Sequence, residues 1–226
     1  MMLQPMKPAK LDLDKPSHQK KLEHFMGSPL YVAEPKIDGC HYFLDGGRVL
    51  STQISKATGE LVDKTDNFPH LIEGFLRANL GDVILDGEIN YPEKRGSNEA
   101  TKVTGCSGSE AVRRQKEELG WVSYTVFDIL KDAKGNWLIN RPWYERREAL
   151  EYVLSLLAKE CPYFQLIPVK RSRKQQFLDK ILEDGGEGIV LKQTAGIYIP
   201  GTRPMDNWVK IKVSDSDDVV VMGFDP

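Results

Sequence analysis

Cysteine is scarce in this sequence. Cys40, Cys106 and Cys161 are far apart and odd in number. No two have the spacing of a zinc finger or a redox motif, so a reducing, intracellular setting is the default. Long apolar runs are missing too. None approaches the ~20 residues of a membrane span, and no signal peptide is legible. Nor is one sign of charge in excess: 31 Lys and Arg face 33 Asp and Glu, for a net charge of −2. This excludes a molecule that binds polyanions over its whole surface, and leaves room only for a local basic patch. Internal repeats and low-complexity tracts are absent. So is the regular strand–helix alternation of a doubly wound sheet.

What is present is enough apolar residue, 40% of the 226, to bury a core in one large domain or two small ones. Met1 to Asp14, rich in Lys and Pro, reads as a flexible lead-in. Helices are expected at Ser17 to Phe25, Pro69 to Leu80 with Gly81 as its stop, Ser109 to near Gly120, Pro142 to Lys159 capped by Asn140, and Lys174 to Glu183 capped by Ser172. Strands are expected at Leu30 to Ala33 and Val83 to Ile89, the latter interrupted by Asp86-Gly87-Glu88. Others are Val122 to Leu130, Phe164 to Val169, Glu187 to Lys192 and Trp208 to Val213. Cys40 to Leu44 and Arg48 to Ile54 flank the turn Asp45-Gly46-Gly47 as a hairpin, and Tyr91 to Gly108 reads as a loop with a short helix. The fold class is therefore α+β. Residues 1–213 form the main domain, and 214–226 a polar hinge with the first strand of a second domain that is cut short. The other reading of Val219 to Phe224 adds that strand to the main sheet.

The stretch Glu34-Pro35-Lys36-Ile37-Asp38-Gly39 sets a lysine between two carboxylates. Read as a strand, it points Glu34, Lys36 and Asp38 to one side. Lys36 is then either a salt-bridge partner of Glu34 or Asp38, or a nucleophile held in position. An amine attacks only when unprotonated, and nearby cations or burial favour that form. Lys192, Lys210 and Lys212 supply cations on strand faces that also suit phosphate oxygens. Glu88 and Glu187 each lie beside a glycine in an apolar strand, which suits hard cations or hydroxyl groups. Phe127 offers a ring for stacking on a base. Taken singly, the lysines also read as surface lysines, the acids as strand ends facing water, and Phe127 as core.

Five motifs in order span residues 34 to 212: Lys-x-Asp-Gly, Asp-Gly-Glu, Tyr-x-x-Phe-Asp, Glu-Gly-Ile-Val-Leu-Lys and Trp-Val-Lys-Ile-Lys. The set resembles the covalent nucleotidyltransferase superfamily of ATP-dependent DNA ligases, RNA ligases and capping enzymes. It most resembles the adenylation domain of small ATP-dependent DNA ligases. The resemblance implies an ATP-grasp-like fold of mainly antiparallel sheets flanked by helices, with 214–226 beginning a truncated C-terminal OB-fold. It implies that Lys36 attacks ATP to form lysyl-AMP, with Mg2+ or Mn2+ as metal. AMP then passes to the 5′-phosphate of a nick in double-stranded DNA, and the 3′-hydroxyl seals the strand. Glu34 would sit near the adenine, with Ile37 and His41 completing the nucleotide pocket. Phe127 would stack on the adenine, Glu88 would contact the ribose or a metal, and Glu187 would bind the metal. Lys210 and Lys212 would touch the α-phosphate, with Lys192 lining the pocket. A monomer is expected, in the cytoplasm of a bacterial or phage-infected cell.

Three positions depart from that pattern. His41 stands where the family usually has an arginine, and Ser51-Thr52 where it has Ser-Arg, with Lys56 a few residues on. Those arginines grip the ribose or the nick phosphate. The OB-fold motif that orients pyrophosphate is also expected to be missing, which predicts slow self-adenylation and poor sealing by this polypeptide alone. Backbone phosphates of DNA would meet Lys94 to Lys102 or the helix bearing Arg113, Arg114 and Lys116, unless these form an ordinary solvated face. The alternatives are an RNA ligase, a capping-type guanylyltransferase, or a nucleic-acid-binding module without turnover.

Overall fold

Alternating apolar and polar residues in the last strands decide how the first sheet lies: one face greasy, one face charged. The computed structural model describes residues 3–11, 15–93 and 96–212. In chain order its elements are β1 (Ala9–Lys10), α1 (Pro16–Gly27), β2 (Tyr31–Pro35), β3 (Cys40–Asp45), β4 (Arg48–Ile54), β5 (Leu61–Asp63), α2 (Pro69–Ala78) and β6 (Ile84–Asn90). Then follow α3 (Gly96–Thr104), α4 (Gly108–Arg114), β7 (Ser123–Lys131), α5 (Trp143–Glu160), β8 (Phe164–Leu166), α6 (Lys174–Glu183), β9 (Gly188–Gln193) and β10 (Trp208–Lys212). A four-stranded sheet runs β1-β10-β9-β2 and a six-stranded sheet runs β5-β4-β3-β6-β7-β8. Only β1 with β10 and β7 with β8 pair in parallel, so the α+β, mainly antiparallel expectation holds.

Three apolar clusters hold these layers. Ala33, Ile189, Leu191, Val209 and Ile211 turn one face of the smaller sheet onto Phe25 of α1 and Leu178 of α6. Leu85, Val126 and Ile129 turn the larger sheet onto Phe75 of α2 and Leu150 and Leu157 of α5. Met6, Phe43, Leu130, Tyr198 and Trp208 fill the space between the sheets. The inward faces of the two sheets therefore meet, and any cavity between them is walled on both sides by strands.

Most elements fall where the residue pattern puts them, and the differences have local causes. Asp86-Gly87-Glu88 does not interrupt β6; the pairing with β7 shifts register there instead. Gly87 is required because a Cβ would lie 2.8 Å from the Tyr124 ring. The left-handed residue that ends α2 is Asn79, ahead of Gly81. Ser109, Asn140 and Ser172 cap nothing: the helices begin after Ser107, Pro142 and Arg173, with no side-chain cap bond at any of them. Residues 3–11 are not a loose lead-in, since Met6, Ala9 and Leu11 are buried. The expected hinge and strand of 214–226 lie outside the described residues. Among the described residues no helix is long and apolar enough to cross a membrane.

Candidate active site

The register of the smaller sheet builds one wall. Lys210 faces Val190, which faces Glu34; Trp208 faces Lys192, which faces Val32. With a side-chain period of two, Trp208, Lys210 and Lys212 share a face with Lys192 and Glu34, opposite the apolar face that covers α1 and α6. Lys36 follows the end of β2 and donates its backbone N–H to the Gly188 carbonyl at 2.8 Å, which fixes it beside Glu187. Gly188 has φ 137°, and a Cβ there would be 2.0 Å from the Ile211 carbonyl oxygen. Only glycine lets the strand carry Glu187 that close.

The larger sheet supplies the other wall. His41 on β3 and Glu88 on β6 are register partners, and Phe127 comes from β7. Asp128, the next residue, is locked by Arg146 through two bonds of 2.8 Å in the buried core, which holds this part of β7 in place. Glu34, Lys36, Ile37, His41, Glu88, Phe127 and Lys192 thus line one cavity, together with Trp208, Met6 and Pro8. Lys210 and Lys212 continue along β10, and Glu187 stands at the mouth. The structure brings together the residues that the motifs select. Asp38 turns away from Glu34, into a neighbouring cleft, because β2 has ended at Pro35.

Sequence reasoning does not find Trp208, Met6 and Pro8, although Trp208 stands in the last motif. It also misses a buried chain of bonds under the cavity. His41 Nε2 is 2.5 Å from Asp86 Oδ1, the Tyr198 hydroxyl donates to Asp86 Oδ2 at 2.7 Å, and the Met6 backbone N–H donates to Tyr198 at 2.8 Å. No spacing signal links residues 6, 41, 86 and 198.

The charges in the cavity are arranged in pairs and vacant acceptors. Lys192 Nζ lies 2.8 Å from Glu34 Oε2, donates to the Phe127 carbonyl at 2.9 Å and sits 4.1 Å from the Trp208 ring centroid. Burial still raises the Glu34 carboxyl above its usual range, against the pull of Lys192. Burial also raises Glu88, to about 7, with His41 and Lys36 opposing it. Burial pushes the His41 ring down, but Asp86 outweighs it and the ring titrates above the usual histidine range. Glu34 Oε1 and Glu88 Oε2 are buried without a hydrogen-bond partner. A vacant buried acceptor is costly unless a donor arrives. Ring amines and sugar hydroxyls are such donors, so an adenine nucleotide fits these two atoms.

At the mouth, Glu187 holds two lysines at once: Lys36 on Oε2 and Lys212 on Oε1 at 2.6 Å. Burial raises its carboxyl, yet the hydrogen bonds from Lys212 and Lys36 win and it stays below the usual range, as a carboxylate. Among the described residues no three His, Cys, Asp or Glu side chains cluster as a metal seat. A divalent ion here would take its remaining ligands from phosphate oxygens and water, as Mg2+ commonly does.

The surface helix expected to bind DNA is neutralised within itself. Arg113 pairs with Glu110, Glu117 and Glu118, and Arg114 with Glu110. Lys102 pairs with Glu99, and residues 94 and 95 are outside the described set.

Two sheets enclosing a lysine-mouthed cavity define the nucleotidyltransferase fold class. Comparison with known proteins narrows it. The chain belongs to the family described as the ATP dependent DNA ligase domain, whose model matches residues 10–212. A DNA ligase of Methanocorpusculum labreanum is 31% identical over 196 residues, covering 84% of this chain and 33% of the relative. A probable DNA ligase of Dictyoglomus turgidum is 29% identical over 203 residues, covering 84% and 33%. The chain thus spans about a third of the length of the curated relatives it matches. Among solved structures, a mycobacterial DNA ligase D complexed with ATP and MES shares the fold at TM-score 0.62 and 22% identity, over 93% of this chain and 60% of that one.

Proposed function

We propose that this chain is the adenylation domain of an ATP-dependent DNA ligase. The observation that carries the reading is the Lys36–Glu187–Lys212 arrangement at the mouth of a cavity holding two unpartnered carboxylate oxygens. ATP enters with its adenine against Phe127 and near Glu34, which accepts from the base, while Glu88 accepts from the ribose. Ile37 and His41 close the pocket around the sugar, and Lys192 holds Glu34 in place.

Lys36 Nζ, once unprotonated, attacks the α-phosphorus. The N–P bond forms, the bond to the β-phosphate oxygen breaks, and pyrophosphate leaves with the electron pair. Glu187 is the nearest acceptor for the proton that Nζ releases. Lys210 and Lys212 neutralise charge on the α-phosphate as it is attacked, the usual means of lowering this kind of barrier. Glu187 would hold a Mg2+ or Mn2+ there, which would supply Lewis-acid neutralisation of the phosphates. AMP on Lys36 then passes to the 5′-phosphate of a DNA nick, and the neighbouring 3′-hydroxyl displaces it. Such a domain acts in the cytoplasm on nicked duplex as a monomer, and its boundary lies near residue 213.

Labelled nucleotide tests the reading. ATP with magnesium should place acid-labile label on the protein, and labelled protein should pass AMP to a nicked duplex. Label from GTP in preference to ATP would move the chain to the capping enzymes. No label from either would leave a nucleic-acid-binding module.

A further inference from the structure

Among the cations outside the five motifs that the scheme above does not use are Lys10 on β1 and Arg203 in the segment before β10. Lys10 is the parallel register partner of Lys210. Arg203 lies in a groove with Lys7 and Thr52. The Lys7 N–H donates to the Thr202 carbonyl at 2.9 Å, which seats Arg203 beside the segment leading into β1. Partial burial holds Lys210 below the usual lysine range, and the charges of Lys36, Arg203, Lys10 and Lys212 add to that. The cavity lysines Lys36, Lys192 and Lys212 are matched by carboxylates. Lys10, Arg203 and Lys210 form no ion pair among the described residues. Three unpaired cations held together repel one another, and an anion of several charges removes that repulsion.

The sheet order says which part of a nucleotide this is. In β1-β10-β9-β2, Lys36 follows the strand at one edge and Lys10 lies on the strand at the other. An in-line displacement needs nucleophile and leaving group on opposite sides of the phosphorus. Among the described residues, the cleft past Lys36 is lined by Asp38, Asp184 and Glu187 and offers a polyphosphate no cation besides Lys36. We propose that Lys10 and Arg203 form the seat of the β- and γ-phosphates and of the departing pyrophosphate, with Lys210 between them and the α-phosphate. The chain would then carry its own pyrophosphate cradle, built from residues 10 and 203. This rests on the adenylation reading and adds two residues to it.

The test is equilibrium binding of AMP, and of the α,β-methylene analogue of ATP, to the 226-residue chain. AMP lacks the tail that the seat would hold, and the analogue cannot be cleaved. Lys10→Ala and Arg203→Ala should each weaken the analogue about tenfold, the worth of one charge-assisted bond. AMP affinity should stay within about twofold, and Lys10→Arg should restore most of the loss, because it keeps the charge. The adenylated protein should also need about tenfold more pyrophosphate to regenerate ATP in either alanine variant. Equal loss of AMP and analogue would show a distorted pocket, and unchanged binding of both would show idle surface cations. Loss of nicked-duplex binding with the analogue unaffected would assign the cations to nucleic acid. Any of these three overturns the seat. A wild-type chain that binds neither AMP nor the analogue would instead sink the adenylation reading itself.

Discussion

Lys192 Nζ and Glu34 Oε2 meet at 2.8 Å with both side chains almost sealed from water, exposed by 2% and 1%. A buried ion pair adds little net stability, but removing one partner is expensive, because the other is left charged and alone. Lys192→Met should therefore cost about 3–5 kcal/mol in urea unfolding. Adding Glu34→Leu should return most of that stability while leaving nucleotide affinity lost, since Glu34 Oε1 is gone. A cost under about 1 kcal/mol for the single variant, the scale of an exposed pair, would contradict the sealed pair.

Glu88 should show the opposite relation between binding and stability. Its carboxyl titrates at about 7 in the fold, raised by burial, against about 4.3 in an unfolded chain. Between these values the unfolded chain has released a proton that the native state still holds. Stability of the nucleotide-free protein should thus fall as pH rises through that window and stay low above it, by up to about 4 kcal/mol. Glu88→Gln removes the charge problem. At pH 8 it should be more stable than wild type and bind nucleotide more weakly. A destabilised Glu88→Gln would mean that the carboxylate is satisfied in the free protein.

His70 predicts the acid limb. Its Nε2–H donates to the Val122 carbonyl at 3.0 Å, its Nδ1 is buried without a partner, and its ring lies 4.4 Å from that of Trp121 at a tilt of 40°. Burial lowers its pKa to about 4 despite that carbonyl. The unfolded histidine takes a proton below about 6.5 and the folded one does not. Its contribution is whole above 6.5 and is lost as pH falls toward 4. Between pH 7.5 and 5, wild type should lose up to about 2 kcal/mol more than His70→Gln. Parallel losses in the two proteins would exclude the ring as the source.

Strand positions and the motif residues were legible in the sequence because period-two alternation and ordered motifs are local signals. Glu34, Lys36, Glu88, Phe127 and Lys192 could be selected that way before any contact was known. Which acid holds which lysine could not. Lys36 pairs with Glu187, 151 positions away, rather than with Glu34 or Asp38 beside it. Lys192 reaches Glu34 only through the β2–β9 register. Helix caps were misassigned because Ser, Asn and Gly are common near helix ends whether or not they bond there. Lys10 and Arg203 carry no motif at all. They become meaningful only when β1 docks beside β10.

Lys36 carries the chemistry. Its ion pair is only partly exposed, by 23% and 19%, but Glu187 keeps Lys212, so no charge is left alone and Lys36→Ala should unfold within about 1 kcal/mol of wild type. The most direct measurement is intact mass after incubation with ATP and magnesium. Wild type should gain one AMP, the gain should be lost in acid, and Lys36→Ala should gain nothing while remaining folded. An adduct of the same mass on folded Lys36→Ala, or no adduct on wild type, would contradict that role of Lys36.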